Sequence, residues 1–298
     1  MKYILTLTFY TATFYNFVLL SKRMIEYEIK PTGKLSLNLK ELWQYKELFY
    51  FFTWRDIKIK YKQTFLGFTW AILQPFIMMI IFTILGTKLE IKSGPVSYPV
   101  FVYTGLMFWY IFANGLSGAG NSMINNANII KKIYFPRLII PVSSVLVSVF
   151  DFFMTLFVYI GLLIYYKTPI DGFKLMLYFP FSFIIAVVTT FGAGTLLAAL
   201  NVKYRDFRYV IPFLIQILLF VTPVIYPASM FKGELAHFLI SLNPMSACVT
   251  LARIPLSSEN TDWQMVMNGC IVAFVLLINR VESDSMPHLE KLKTPLRY

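Results

Sequence analysis

The chain has 298 residues, of which 57% are hydrophobic, 18% aromatic and only 14% charged, far below the roughly one quarter of charged residues that soluble domains carry, so a water-soluble globular fold is excluded. A net charge of +12 would suit nucleic acid, but the cations lie in short clusters between long apolar runs rather than over a polar surface. Their partner is the anionic inner face of a membrane, and no nucleic acid is expected. Cys248 and Cys270, the two cysteines, have neither the number nor the spacing of a metal site or a disulfide framework and read as small apolar fillers.

Residues 4–20, ILTLTFYTATFYNFVLL, are apolar and flanked by Lys2, Lys22 and Arg23. They fit a signal-peptide core, a seventh span or an extension ahead of a start at Met24; no small-residue cleavage site stands out, and residues 1–38 are set apart as an N-terminal extension. From 39 to 64, LKELWQYKELFYFFTWRDIKIKYKQT, apolar residues recur at helical spacing at Leu39, Leu42, Trp43, Leu48, Phe49 and Phe52, with Lys40, Glu41, Lys46 and Glu47 mostly on the other face. Trp and Phe on one side, followed by cations, are what a helix lying along the inner leaflet requires. An amphipathic interface helix is therefore expected there.

A helix crossing the hydrocarbon core needs about 20 apolar residues. Six runs qualify, near 66–86, 100–120, 138–165, 175–200, 210–226 and 263–279, so residues 39–280 read as one all-α polytopic domain of six transmembrane helices, and 281–298 as a cytoplasmic tail expected to be disordered. With the domain's N-terminus inside, only six of the 27 Lys and Arg, namely Lys88, Lys92, Lys167, Lys174, Lys232 and Arg253, fall on the outer side. The positive-inside rule then places both ends of the domain in the cytoplasm.

Between the second and third runs lies IIKKIYFPRLIIP, residues 129–141, a cytoplasmic turn with Lys131, Lys132 and Arg137 between apolar stretches. Topogenic charge explains the cations, as it explains Arg205, Asp206 and Arg208 in the other inner loop. It does not explain Phe135 before Pro136, because a water-facing aromatic stiffened by proline calls for something to dock into.

The second run and its approach hold Tyr98, Phe101, Tyr103, Phe108, Trp109, Tyr110 and Phe112. An interfacial belt accounts for Tyr98 and for Trp109 through Phe112, while aromatic faces also bind sugar rings weakly at many positions and let a polymer slide. Asp151 is the only carboxylate inside a run; at about 2.5–3.5 kcal/mol for a helix centre it must face the bundle or a cavity. On the outer side, 237–256 has half-span length and is broken by Pro244 and Pro255, the pattern of short re-entrant helices.

The chain carries no phosphate-binding G-x-x-x-x-G-K-[ST], no H-E-x-x-H and no G-x-S-x-G, and His237 and His288 fall on opposite sides of the membrane. Uphill movement would draw its energy from a partner.

The phrases LWQYKELFYFFTWRDIKIKYKQTFLGFTWAILQP (42–75), NIIKKIYFPRLIIP (128–141), NVKYRDFRYVIPF (201–213), TPVIYPAS (222–229) and LNPM (242–245) together resemble the membrane subunit of ABC-2 type polysaccharide exporters, the bacterial permeases for O-antigen, capsule and teichoic-acid precursors. The resemblance implies a homodimer in the bacterial inner membrane, joined by two copies of a separate ATP-binding subunit that holds ATP and Mg, with no cofactor in this chain and no catalysis by it. Lipid-linked polysaccharide and membrane lipids are the other implied partners. It further implies that Lys131, Lys132, Tyr134, Phe135, Pro136 and Arg137 dock on the ATPase. It places Trp43, Phe52, Trp54, Arg55 and Asp56 in an interface helix beside them, and from their charge and position Arg55, Lys58 and Lys60 are expected near the substrate diphosphate. The tail 281–298 and residues 1–23 depart from the family pattern. Two rivals are a secondary carrier or flippase that works through Asp151 without ATP, and a membrane-bound glycosyltransferase, for which no acidic metal-binding motif is present.

Overall fold

The computed structural model describes residues 43–62, 67–91, 94–133, 135–230, 233–256 and 262–283, and every regular element in them is helical. They fall within one compact unit, Leu35–Tyr298. The extension 1–38, the tail beyond 283, and Leu39, Leu42, Tyr134 and His288 lie outside the described residues.

Helix α1, Lys46–Lys62, has Glu47 in its first turn and Lys60 and Lys62 in its last, each charge complementing the adjacent end of the helix dipole. Its exposed rings, Tyr50, Phe51 and Trp54, suit the membrane interface. The expectation that it lies along the leaflet needs correction. Phe52 packs with Phe135, Ile139 and Ile140 at the base of α5, Ile139–Tyr165, while Tyr61 meets Phe150 with ring centroids 5.9 Å apart. Later residues of α1 thus meet later residues of α5, so the two helices rise side by side in the same direction.

Helix α2, Thr69–Lys88, buries one stripe, Pro75, Met79, Phe82 and Gly86, and leaves Ile77, Ile80, Ile81 and Ile84 exposed, the division expected of a helix with lipid on one side. Helix α3, Tyr98–Asn125, is buried almost all round and forms the centre of the subunit. Small residues let its neighbours close in: a Cβ on Gly115 would stand 2.3 Å from Thr190 Cγ2 and 2.7 Å from Ser148 Oγ, so glycine sets how near α5 and α6, Gly172–Lys203, approach.

By length and composition, α2, α3, α5 and α6 are long and apolar enough to cross a membrane. The fifth expected run is realised as α7, Phe207–Val221, whose 15 residues span only about 22 Å. It stops early because Thr222 precedes Pro223 and adopts an extended conformation, φ −76° and ψ 135°. The expected 237–256 segment is two short helices, α8 (Glu234–Ser241) and α9 (Pro244–Arg253). Asn243 turns the chain between them: its side chain accepts from Met245 N at 3.0 Å and donates to Thr222 Oγ1 at 2.8 Å. Helix α10, Trp263–Ser283, is apolar through Ile278 and packs on α6 and α9.

Candidate functional site

The connection from α3 to α5 is built to be short and angular. Helix α3 ends at Asn125, Asn126 breaks the helical path with φ −104° and ψ 15°, and one turn, α4 (Ala127–Ile130), follows. Pro136 and Pro141 then flank the start of α5, where a missing backbone donor costs nothing. Lys131, Lys132, Ile133 and Arg137 are exposed, and Pro136 is half-buried. Three cations and one bare isoleucine thus sit on a stub held at both ends by long helices.

Phe135 is not where the sequence suggested. Only 5% of it is exposed, and its ring lies 5.6 Å from that of Phe52. The cause is long-range: α1 supplies an apolar pocket to the connection, and the aromatic fills it. The expected docking key is therefore an internal bolt between α1 and the connection, and among the described residues of the turn Ile133 is an apolar side chain left outside.

Arg55 strengthens the same joint. Its guanidinium donates to Asn126 Oδ1 at 2.7 Å and to Asp56 Oδ1 at 2.7 and 2.9 Å, and it lies over the Phe52 ring at 4.7 Å. Asn126 in turn donates to Ser122 O at 2.9 Å, so the residue that ends α3 is held by both α3 and α1. Further along, Asp151 is buried, 4% exposed, with Lys60 paired to one carboxylate oxygen and the Tyr61 hydroxyl donating to the other.

The three cations expected near a diphosphate each have a partner within α1 or from α3 and α5. Arg55 is engaged by Asp56 and Asn126 and Lys60 by Asp151, while Lys58 lies over Trp54 at 5.2 Å. Trp43 and Trp54 are exposed on the flank of this assembly. The aromatic residues of α3 are also corrected. Phe101, Tyr103, Phe108, Trp109 and Phe112 are buried inside the subunit, and Tyr98 and Tyr110 are half-buried. Phe108 meets Phe152 and Phe179, each at 5.3 Å, and Tyr103 stacks on Tyr159 at 6.4 Å. Rings spent on this packing present no open face to a sugar within the subunit.

Sequence reasoning missed Arg253, counted there as one more outer-side charge. It is 9% exposed and donates to Pro223 O and Val224 O at 2.6 Å each and to Phe101 O at 3.0 Å, with the Phe101 ring 3.5 Å away. Two of those carbonyls lie just beyond the C-terminus of α7, the end of a helix that favours a cation. Gly105 makes room, since a Cβ there would lie 2.7 Å from Arg253 Nη2. The available signal was an arginine closing a half-span beside a proline with no carboxylate in reach.

Comparison with known proteins bears on what this arrangement serves. The ABC-2 type transporter profile matches residues 47–256, from α1 to just past α9. The chain is 30% identical to the O-antigen export system permease protein RfbA of Myxococcus xanthus over 71% of its own length and 81% of the relative. It is 30% identical to a Klebsiella pneumoniae protein of the same name, over 72% and 81%. Against the polysialic acid transport protein KpsM of Escherichia coli it is 22% identical, over 67% and 77%. A match that runs from α1 to just past α9 and includes the connection, its α1 brace and the Arg253 anchor settles the family: this chain is a member of the ABC-2 type transporters, multi-pass membrane permeases that work with an ABC ATP-binding subunit.

Proposed function

We propose that this chain is the transmembrane subunit of an ATP-driven exporter that moves a lipid-linked polysaccharide, O-antigen or a similar surface glycan, from the cytoplasmic side across the bacterial inner membrane. The observation that carries the reading is the family match from α1 to just past α9, joined to relatives named for O-antigen export and polysialic acid transport. ATP and Mg are held by the separate ATP-binding subunit, and this chain contributes no catalysis.

Both ends of the domain face the cytoplasm, as the clustering of Lys and Arg supports. Helices α7 and α10 complete six crossings with α2, α3, α5 and α6, and α8 and α9 dip into the outer leaflet. Two copies enclose the passage. Lys131, Lys132, Ile133 and Arg137 form the docking surface for the ATP-binding subunit, a reading supported by their exposure on a stub braced by α1. The rival reading, a carrier or flippase that works through Asp151 without ATP, differs in its test, since its transport would persist without the ATP-binding subunit and collapse in Asp151→Asn.

Deleting the ATP-binding subunit in the native host tests the proposal. Surface glycan is expected to vanish and lipid-linked glycan to accumulate inside, with this chain still in the membrane. Export that persists would refute it.

A further inference from the structure

Asp151 sits eleven residues beyond Ile140, about 16 Å along α5. The two residues that bond its carboxylate, Lys60 and Tyr61, both come from α1. Nearer the cytoplasm, the same helix holds the connection through Phe52 on Phe135 and Arg55 on Asn126. One contact between two helices is a hinge; contacts separated by three turns remove the hinge. A buried carboxylate also holds its partners firmly, because separating them would strand a charge away from water.

We propose that Lys60, Tyr61 and Asp151 form a latch that makes α1, the α3–α5 connection and the cytoplasmic half of α5 a single lever. Displacement of the connection by the ATP-binding subunit then reaches α5 at the level of Asp151 instead of dissipating as bending of residues 131–137. Asp151 is a positioning residue for export: it transmits motion and neither carries protons nor touches substrate. This deepens the proposed function and rests on it.

The latch is tested in proteoliposomes holding this chain with its ATP-binding subunit and lipid-linked glycan extracted from the host's own membranes, scored as glycan moved per ATP hydrolysed. Lys60→Gln leaves the buried Asp151 carboxylate without its cation, and Asp151→Asn removes the charge that holds the more exposed Lys60; each is expected to lower that ratio roughly tenfold while ATP hydrolysis continues. The combined Lys60→Gln/Asp151→Asn variant strands no charge, and Lys60→Arg keeps the pair; both are expected to recover most of the ratio.

An unchanged ratio in the single variants overturns the latch and leaves the pair a packing contact. Loss in Asp151→Asn and in the combined variant, with Lys60→Gln normal, also overturns it, because the carboxylate would then act alone. Where the charge variants fail to accumulate, Tyr61→Phe keeps the ring against Phe150 and removes one donor; about a threefold lower ratio is expected, and no change overturns the proposal. If wild-type proteoliposomes move glycan without hydrolysing ATP, it is the proposed function that fails, whatever the variants do.

Discussion

The rings of Phe52 and Phe135 meet with centroids 5.6 Å apart, joining the first described helix to the turn between α3 and α5. Both are buried, at 2% and 5% exposure, so neither is free to serve a second protein. Truncating either opens a hole where two elements meet. Phe135→Ala is expected to cost about 3–5 kcal/mol, read as a lower thermal unfolding midpoint of the purified chain in detergent. Adding Phe52→Ala should cost clearly less than it does alone, since the rings share one contact. Full additivity would show that the rings do not depend on each other.

Lys131 and Lys132 are predicted to behave in the opposite way. They are exposed, so Lys131→Glu/Lys132→Glu should move stability by no more than about 0.5 kcal/mol per site. Reversing two charges at the proposed docking surface should nevertheless lower copurification of the ATP-binding subunit about tenfold, and added salt should shrink the difference between variant and wild type. Copurification that is unchanged at low salt would leave these lysines with only the task of orienting the helices.

Arg253 and Gly105 form one unit, because the guanidinium occupies the space that a side chain at 105 would need. Arg253→Met leaves the carbonyls of Phe101, Pro223 and Val224 without these donors and is expected to cost about 3 kcal/mol. Gly105→Ala should cost about 1–3 kcal/mol by overpacking. In the double variant the methyl group no longer meets the guanidinium, so the combined loss should fall short of the sum. Thermal unfolding of the four proteins checks this, and simple additivity would contradict the shared site.

What could be read from the sequence was set by local pattern. Apolar runs located α2, α3, α5, α6 and α10, charge placement pointed to an inner connection at 129–141, and the order of the quoted phrases identified the family. What could not be read depended on chain brought from elsewhere. Phe135 looks exposed in its own stretch and is buried because α1 returns to cover it. Asp151 looks like an isolated intramembrane acid because Lys60 and Tyr61 belong to a helix that local periodicity placed flat on the lipid. Arg253 looks topogenic because its acceptors are backbone carbonyls, which no side-chain pattern records. The aromatic residues of α3 invited a sugar-binding reading, and their packing on Phe152, Tyr159 and Phe179 answers it.

The central claim is that the basic stub between α3 and α5 faces the cytoplasm and is covered there by an ATP-binding subunit. Accessibility of a cysteine at its tip, Lys132→Cys, measured with a membrane-impermeant maleimide against a Cys248→Ala/Cys270→Ala background, tests it directly. The account predicts no labelling from outside intact cells, labelling in inside-out vesicles stripped of the partner, and protection when the partner is restored. Labelling from outside, or labelling in vesicles that the restored partner does not reduce, would contradict it.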